Sequence, residues 1–98
     1  MSDDDERAKA IALLEANHAF PTDYSITVIA NADDLVTAAI IAAAFEEEET
    51  PESGAHERRT SSGGKYLSHR LKIRARDAEH VLVIYARLRA VVGVRTIL

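Results

Sequence analysis

Ser61-Ser62-Gly63-Gly64-Lys65-Tyr66-Leu67-Ser68-His69-Arg70-Leu71-Lys72-Ile73-Arg74-Ala75 is a glycine turn followed by the most regular alternation in the chain. Leu67, His69, Leu71, Ile73 and Ala75 fall on one side; Ser68, Arg70, Lys72 and Arg74 fall on the other. Successive side chains of a strand point to opposite faces, so this period of two predicts a half-buried strand with a basic outer face. Gly63-Gly64 suits a two-residue hairpin turn, which needs positive φ. That turn sets Arg59 opposite Ser68 and Glu57 opposite Arg70. The preceding strand, residues 55–61, is polar on both sides and belongs at a sheet edge.

Outward from this hairpin, the 98 residues suffice for one domain with a small core. An apolar fraction of 47% argues for a globular chain rather than a disordered one. Cysteine is absent, which removes disulfides, thiolate nucleophiles and thiolate metal sites together. The opening Met1-Ser2-Asp3-Asp4-Asp5-Glu6 is acidic where a signal peptide is basic, and residues 35–45 are too short to span a bilayer. A soluble, cytoplasmic protein without a membrane partner is the expectation. The net charge of −4 is unevenly spread. Residues 1–55 carry thirteen acids against Arg7 and Lys9, whereas residues 56–76 carry seven bases against Glu57. The basic charge therefore sits on the hairpin, where it can steer an anionic partner.

The remaining segments read as follows. Ala8, Ile11 and Leu14 recur at helical spacing from Asp3 to Asn17, behind acids that favour a helix start. Pro21 restrains Phe20 to an extended conformation. Tyr24, Ile26, Val28 and Ala30 alternate as the inner face of a first strand. Asn31 or Asp33 can cap a helix running through Phe45 that is apolar nearly all round. One sheet face cannot cover so wide a stripe, so the amino-terminal helix or a second subunit is expected on it. Glu46–Glu49 is expected to fray into solvent, and residues 50–54 to form a loop. Asp77 caps the next helix, whose buried stripe is Val81, Ile84, Tyr85, Leu88 and Val92, with Gly93 beyond its end. Val94 to Leu98 closes the chain as a short strand.

The order is a helix followed by βαββαβ, with the spatial order 4-1-3-2 if both crossovers are right-handed. This predicts an α+β fold: a ferredoxin-like sandwich, with two helices on one face of an antiparallel four-stranded sheet, plus an extra helix. Residues 1–18 form the helical extension and residues 19–98 the domain.

Phe20-Pro21-Thr22, the Ser61–Ser68 hairpin, Tyr85 and the ending Val94-Arg95-Thr96-Ile97-Leu98 together resemble the YbeD-like family over roughly residues 19–98. These are small bacterial proteins of unknown function, sometimes labelled lipoate regulators. The resemblance implies a ferredoxin-like fold similar to ACT regulatory domains, and no established reaction.

Candidate sites divide by chemistry. The basic strand face, with Arg59, Lys65, Tyr66, Arg70, Lys72 and Arg74, is the candidate surface for a protein partner or anion. Consecutive N–H groups of the glycine turn can form an anion nest, but the turn lacks P-loop spacing and does not enter a helix. RNA-recognition sheets stack bases on several aromatics, and only Tyr66 has the right parity here, so nucleic acid is the least supported partner. Asn31, Asp33 and Asp34 form a candidate small-ligand loop, by analogy with ACT domains, which often carry Pro-Gly there; this chain has no glycine in that loop. His18, His56, His69 and His80 show no paired ligand spacing, although His56 and His69 can approach across the hairpin, with His69 partly buried. Neither a metal nor another cofactor is expected. Ser61, Ser62 and Ser68 have no identifiable base, so no catalytic residues are assigned. The leading expectation is a non-enzymatic regulatory or adaptor domain that binds a protein partner, with hydrogen bonding at an exposed edge as a further route to a homodimer. A small-molecule sensor for an amino acid or lipoate-type ligand is the alternative, and weak RNA binding the third.

Overall fold

Three helices and four strands follow one another as α1 (Asp3–Asn17), β1 (Thr22–Asn31), α2 (Asp34–Ala44), β2 (His56–Thr60), β3 (Tyr66–Ala75), α3 (Ala78–Ala90) and β4 (Val94–Ile97). This computed structural model describes residues 3–45, 54–61 and 63–98. The expected frayed end at Glu46–Glu49, most of the loop after it, and Ser62 lie outside the described residues.

The strands form one antiparallel sheet in the order β2-β3-β1-β4, which read from its other edge is 4-1-3-2. β1 and β3 pair along their whole length, from Thr22 opposite Ala75 to Asn31 opposite Tyr66. That pairing extends β1 beyond the Tyr24–Ala30 alternation, because ladder hydrogen bonds do not require apolar side chains. Ile26, Val28 and Ala30 face the helices beside His69, Leu71 and Ile73, and all six are buried. α2 adds Ile40, and α3 adds Val81, Ile84 and Leu88. Burying a branched aliphatic side chain fully is worth about 1.5–3 kcal/mol, so this layer is a main favourable term set against the entropy lost on folding.

Short polar residues start α2 and α3 where the sequence suggests. Asp33, in extended conformation, caps α2 by accepting from the Leu35 N–H at 2.7 Å. Asp77 does the same for α3, accepting from the His80 N–H at 2.8 Å. Arg87 and Arg89 lie in the last turn of α3, where the helix dipole favours cations.

One expectation about packing fails, and another loses the first of its two forms. Val92 does not belong to the buried stripe of α3; it is 90% exposed. The helix stops at Ala90, so its 3.6-residue period does not carry that far, and Val91 packs against the core instead. The amino-terminal helix is not the main cover of α2 either. α1 packs against α3 and buries none of its own residues. α2 leans on α3 and β1, leaving Leu35, Ala38 and Ala42 exposed on its far side.

Gly93 ties the far end together. Its φ of +102° is in the left-handed region, and a Cβ built there would meet Val36 Cγ2 at 2.7 Å. Its carbonyl accepts from the Asn31 N–H at 2.8 Å. The end of β1, the start of α2 and the turn into β4 therefore meet at a position that only glycine fits.

Candidate functional site

The outer face of the sheet is built by the second parity of β3. Tyr66, Arg70, Lys72 and Arg74 are exposed there, with Ser68 half-buried between them. On β1 their cross-strand partners are Asn31, Thr27, Ser25 and Asp23 respectively, with Ile29 opposite Ser68. On β2, Arg59 lies opposite Ser68 and Glu57 opposite Arg70, which is the register expected from the hairpin. A depression of about 200 Å³ forms among Glu57, Arg58, Arg59, Ser68 and Arg70. Arg74 reaches Asp23 at 3.5 Å with both side chains largely exposed, an arrangement that solvent screens heavily.

The structure adds Arg95 to this face. Its guanidinium carbon sits 5.8 Å from the centre of the Tyr66 ring, within cation–π range. The sequence places Arg95 in the last strand but assigns it no face. A register shift at Ile29/Ala30 is the reason: Ile29 pairs with Thr96 and Ala30 with Val94, so Arg95 is an extra residue. Parity counted from the sequence does not survive a bulge. The proximity of Tyr66 to Arg95 follows only once β1 is known to pair Asn31 with Tyr66 and to neighbour β4.

Lys65 lies at the hairpin tip, beside rather than within the strand face. Its carbonyl accepts from the Ala32 N–H at 3.0 Å, which brings the tip against the loop after β1. The turn is closed by Gly64 N–H to the Ser61 carbonyl at 3.0 Å and by Ser61 N–H to the Tyr66 carbonyl at 2.9 Å. Tyr66 N–H also donates to Ser61 Oγ at 3.1 Å. The Gly64 N–H proposed for an anion nest is thus already engaged. In the candidate small-ligand loop, Asn31, Asp33 and Asp34 are exposed, and one oxygen of the Asp33 carboxylate accepts the capping bond.

Behind the sheet, His56 Nε2 and His69 Nδ1 lie 2.9 Å apart, with their rings nearly parallel at 13°. This is the approach across the hairpin that the sequence suggested. His69 is buried completely rather than partly, and its Nε2 has no hydrogen-bond partner among the described residues. Burial lowers the pKa of both rings below 6.5; the charge of His56 and then that of Arg58 add to the effect on His69, and Arg58 also acts on His56. Only one proton fits between two nitrogens at that distance, so the two rings cannot both carry a charge. Among the described residues no three His, Cys, Asp or Glu side chains converge as metal ligands. Near the other edge, Tyr24 and Tyr85 place their hydroxyls 3.4 Å apart, and burial followed by that hydrogen bond pushes the Tyr85 phenol well above its usual range.

An α+β domain with a covered apolar sheet face and an open basic one is the class these features define. The sequence matches the family described as "Protein of unknown function (DUF493)" over residues 15–98, and the chain belongs to that family, the YbeD family. No curated protein matches it. No helix among the described residues is long and apolar enough to cross a membrane.

Proposed function

We propose that this chain is a non-enzymatic regulatory or adaptor domain that binds an acidic protein partner on the open face of its sheet. The supporting observation is the row of Arg59, Arg70, Lys72 and Arg74 on the same sheet face as the Tyr66–Arg95 pair, a face that no described element covers. A cationic field of this kind steers association and orders charge pairs at the rim of an interface, while the aromatic ring supplies contact area. We read the topology as a ferredoxin-like, ACT-like sandwich, whose helix-free sheet face is left open for such contact. The absence of cysteine suits a cytoplasmic setting.

The test is retention of a native partner by the immobilised domain. Combined Arg70→Glu, Lys72→Glu and Arg74→Glu substitution should abolish retention while the far-ultraviolet circular dichroism stays that of the parent. Retention unchanged by the reversal excludes this surface.

A further inference from the structure

The two edges of the sheet are unlike. β2 exposes every side chain except half-buried His56, and its Glu57, Arg58 and Arg59 guard the edge with charge. β4 is the other edge and carries Val94 and Ile97 facing the core layer. Leu98 and Thr27 exchange both backbone hydrogen bonds, at 2.8 Å for Leu98 N–H and 3.3 Å for Thr27 N–H. In an antiparallel ladder the next residue turns its backbone groups the other way, so the N–H and C=O of Ile97 point away from β1. Arg95, the extra residue of the bulge, is likewise left out of the ladder. Alongside these free groups runs a groove of about 440 Å³ between β4 and α3, lined by Tyr85, Arg89, Val94, Arg95, Thr96 and Ile97. Its lining contains two cations and no acid.

We infer that this groove receives an extended acidic segment of a protein partner as a strand added to β4. The inference rests on the proposed partner-binding role and names the form the bound segment takes. The backbone of Ile97 supplies the ladder hydrogen bonds, as in other cases of strand addition. Alternate side chains of the segment then fall toward Val94, Ile97 and Tyr85, while carboxylates meet Arg89 on one side and Arg95 on the other. The Arg95 side of the groove is continuous with the basic outer face through Tyr66. Charge selects the occupant. A second copy pairing β4 with β4 would gather four arginines at one seam, which like-charge repulsion opposes, whereas an acidic strand neutralises them.

The probe is a short fluorescent peptide alternating glutamate and valine, added to the full chain and followed by anisotropy and by amide NMR. Saturable binding is expected, with the largest shifts at Arg89, Arg95 and Ile97. Methylating alternate peptide nitrogens of the probe should weaken binding by about tenfold or more, because it removes strand hydrogen bonds without changing charge. Arg89→Glu with Arg95→Glu should cost a similar factor, and a glutamate-to-lysine probe should not bind. Affinity indifferent to N-methylation, shifts centred on Arg70 and Lys72, self-association through β4, or no saturation would each overturn the inference. Equal binding by an oligonucleotide at the same amides would overturn the choice of a protein strand. The two proposals separate cleanly. Native-partner retention lost on reversing Arg70, Lys72 and Arg74, with no peptide shifts at β4, removes the edge site alone. Peptide shifts at β4 that persist in that triple variant, with native-partner retention unchanged by it, remove the face reading alone.

Discussion

β3 carries two proteins' worth of chemistry on one backbone. Its inward residues His69, Leu71, Ile73 and Ala75 are buried, while its outward residues Arg70, Lys72 and Arg74 are exposed one position away. The inner set has helices, a neighbouring strand and almost no solvent; the outer set has water and the short side chains of β1. Difference in environment, not in secondary structure, therefore decides what each residue is for. Substitutions inside should move stability, and substitutions outside should move binding.

Leu71→Ala is the strongest way to break that division. Leu71 is fully buried opposite Ile26, and truncating such a leucine costs about 2–5 kcal/mol through lost burial and the cavity left behind. Urea unfolding monitored by circular dichroism should show it, while Lys72→Ala next door leaves the midpoint in place. Equal effects from the two would mean that the outer face is covered as well. Gly93→Ala comes next, at about 1–3 kcal/mol, since it imposes a side chain on a positive φ and drives it into Val36. Adding Val36→Ala should relieve the clash and not the backbone strain, so only part of the thermal stability should return.

How far the sequence discloses this molecule follows the same division. The alternation in β1 and β3 is written in side-chain type, and the caps Asp33 and Asp77 are written in short polar residues, so elements and faces were readable. Polar β2 was readable only through the glycine turn, whose geometry set the register. Val92 is misleading because an apolar residue past a helix end still matches the helical period, whereas Val91, in extended conformation, has already left the helix. The wide apolar surface of α2 predicts a cover, the amino-terminal helix or a second subunit, but periodicity does not choose between them; α1 packs against α3 instead. Arg95 was hidden because a bulge resets parity, and no residue type announces a bulge. The basic face could be read as a surface, but a surface does not spell its partner.

His56 and His69 give the inner side a dependence on pH. Both rings have pKa values below 6.5 in the folded state, chiefly from burial. The unfolded chain therefore binds protons first as pH falls, and the stability this pair contributes is complete above pH 6.5 and declines below it. The decline ends once pH passes the folded values. Unfolding free energy measured between about pH 5 and 7.5, above most carboxylate titration, should fall toward the acid end. His56→Gln should flatten that slope, because glutamine keeps a polar partner for His69 without titrating. A slope unchanged in the variant would show that the pair is not its source. Detachment should begin at β2, whose only half-buried side chain is His56, and hydrogen exchange of Arg58 and Thr60 should accelerate before that of Leu71.

Arg74→Ala should have the smallest effect on the fold and so gives the sharpest contrast with Leu71→Ala. Arg74 meets Asp23 at 3.5 Å, yet their side chains are 64% and 58% exposed. Pairs so open to water contribute about 0–1 kcal/mol, and the neutral variant also removes one cation from a crowded basic face. The two changes oppose each other, and the melting temperature should hardly move at either low or moderate salt. Binding of an acidic partner should nevertheless weaken, and its dependence on salt should become shallower, because one long-range attraction has gone. A melting temperature that drops substantially would place Arg74 in the fold, and the division between the faces of β3 would fail at its most exposed point.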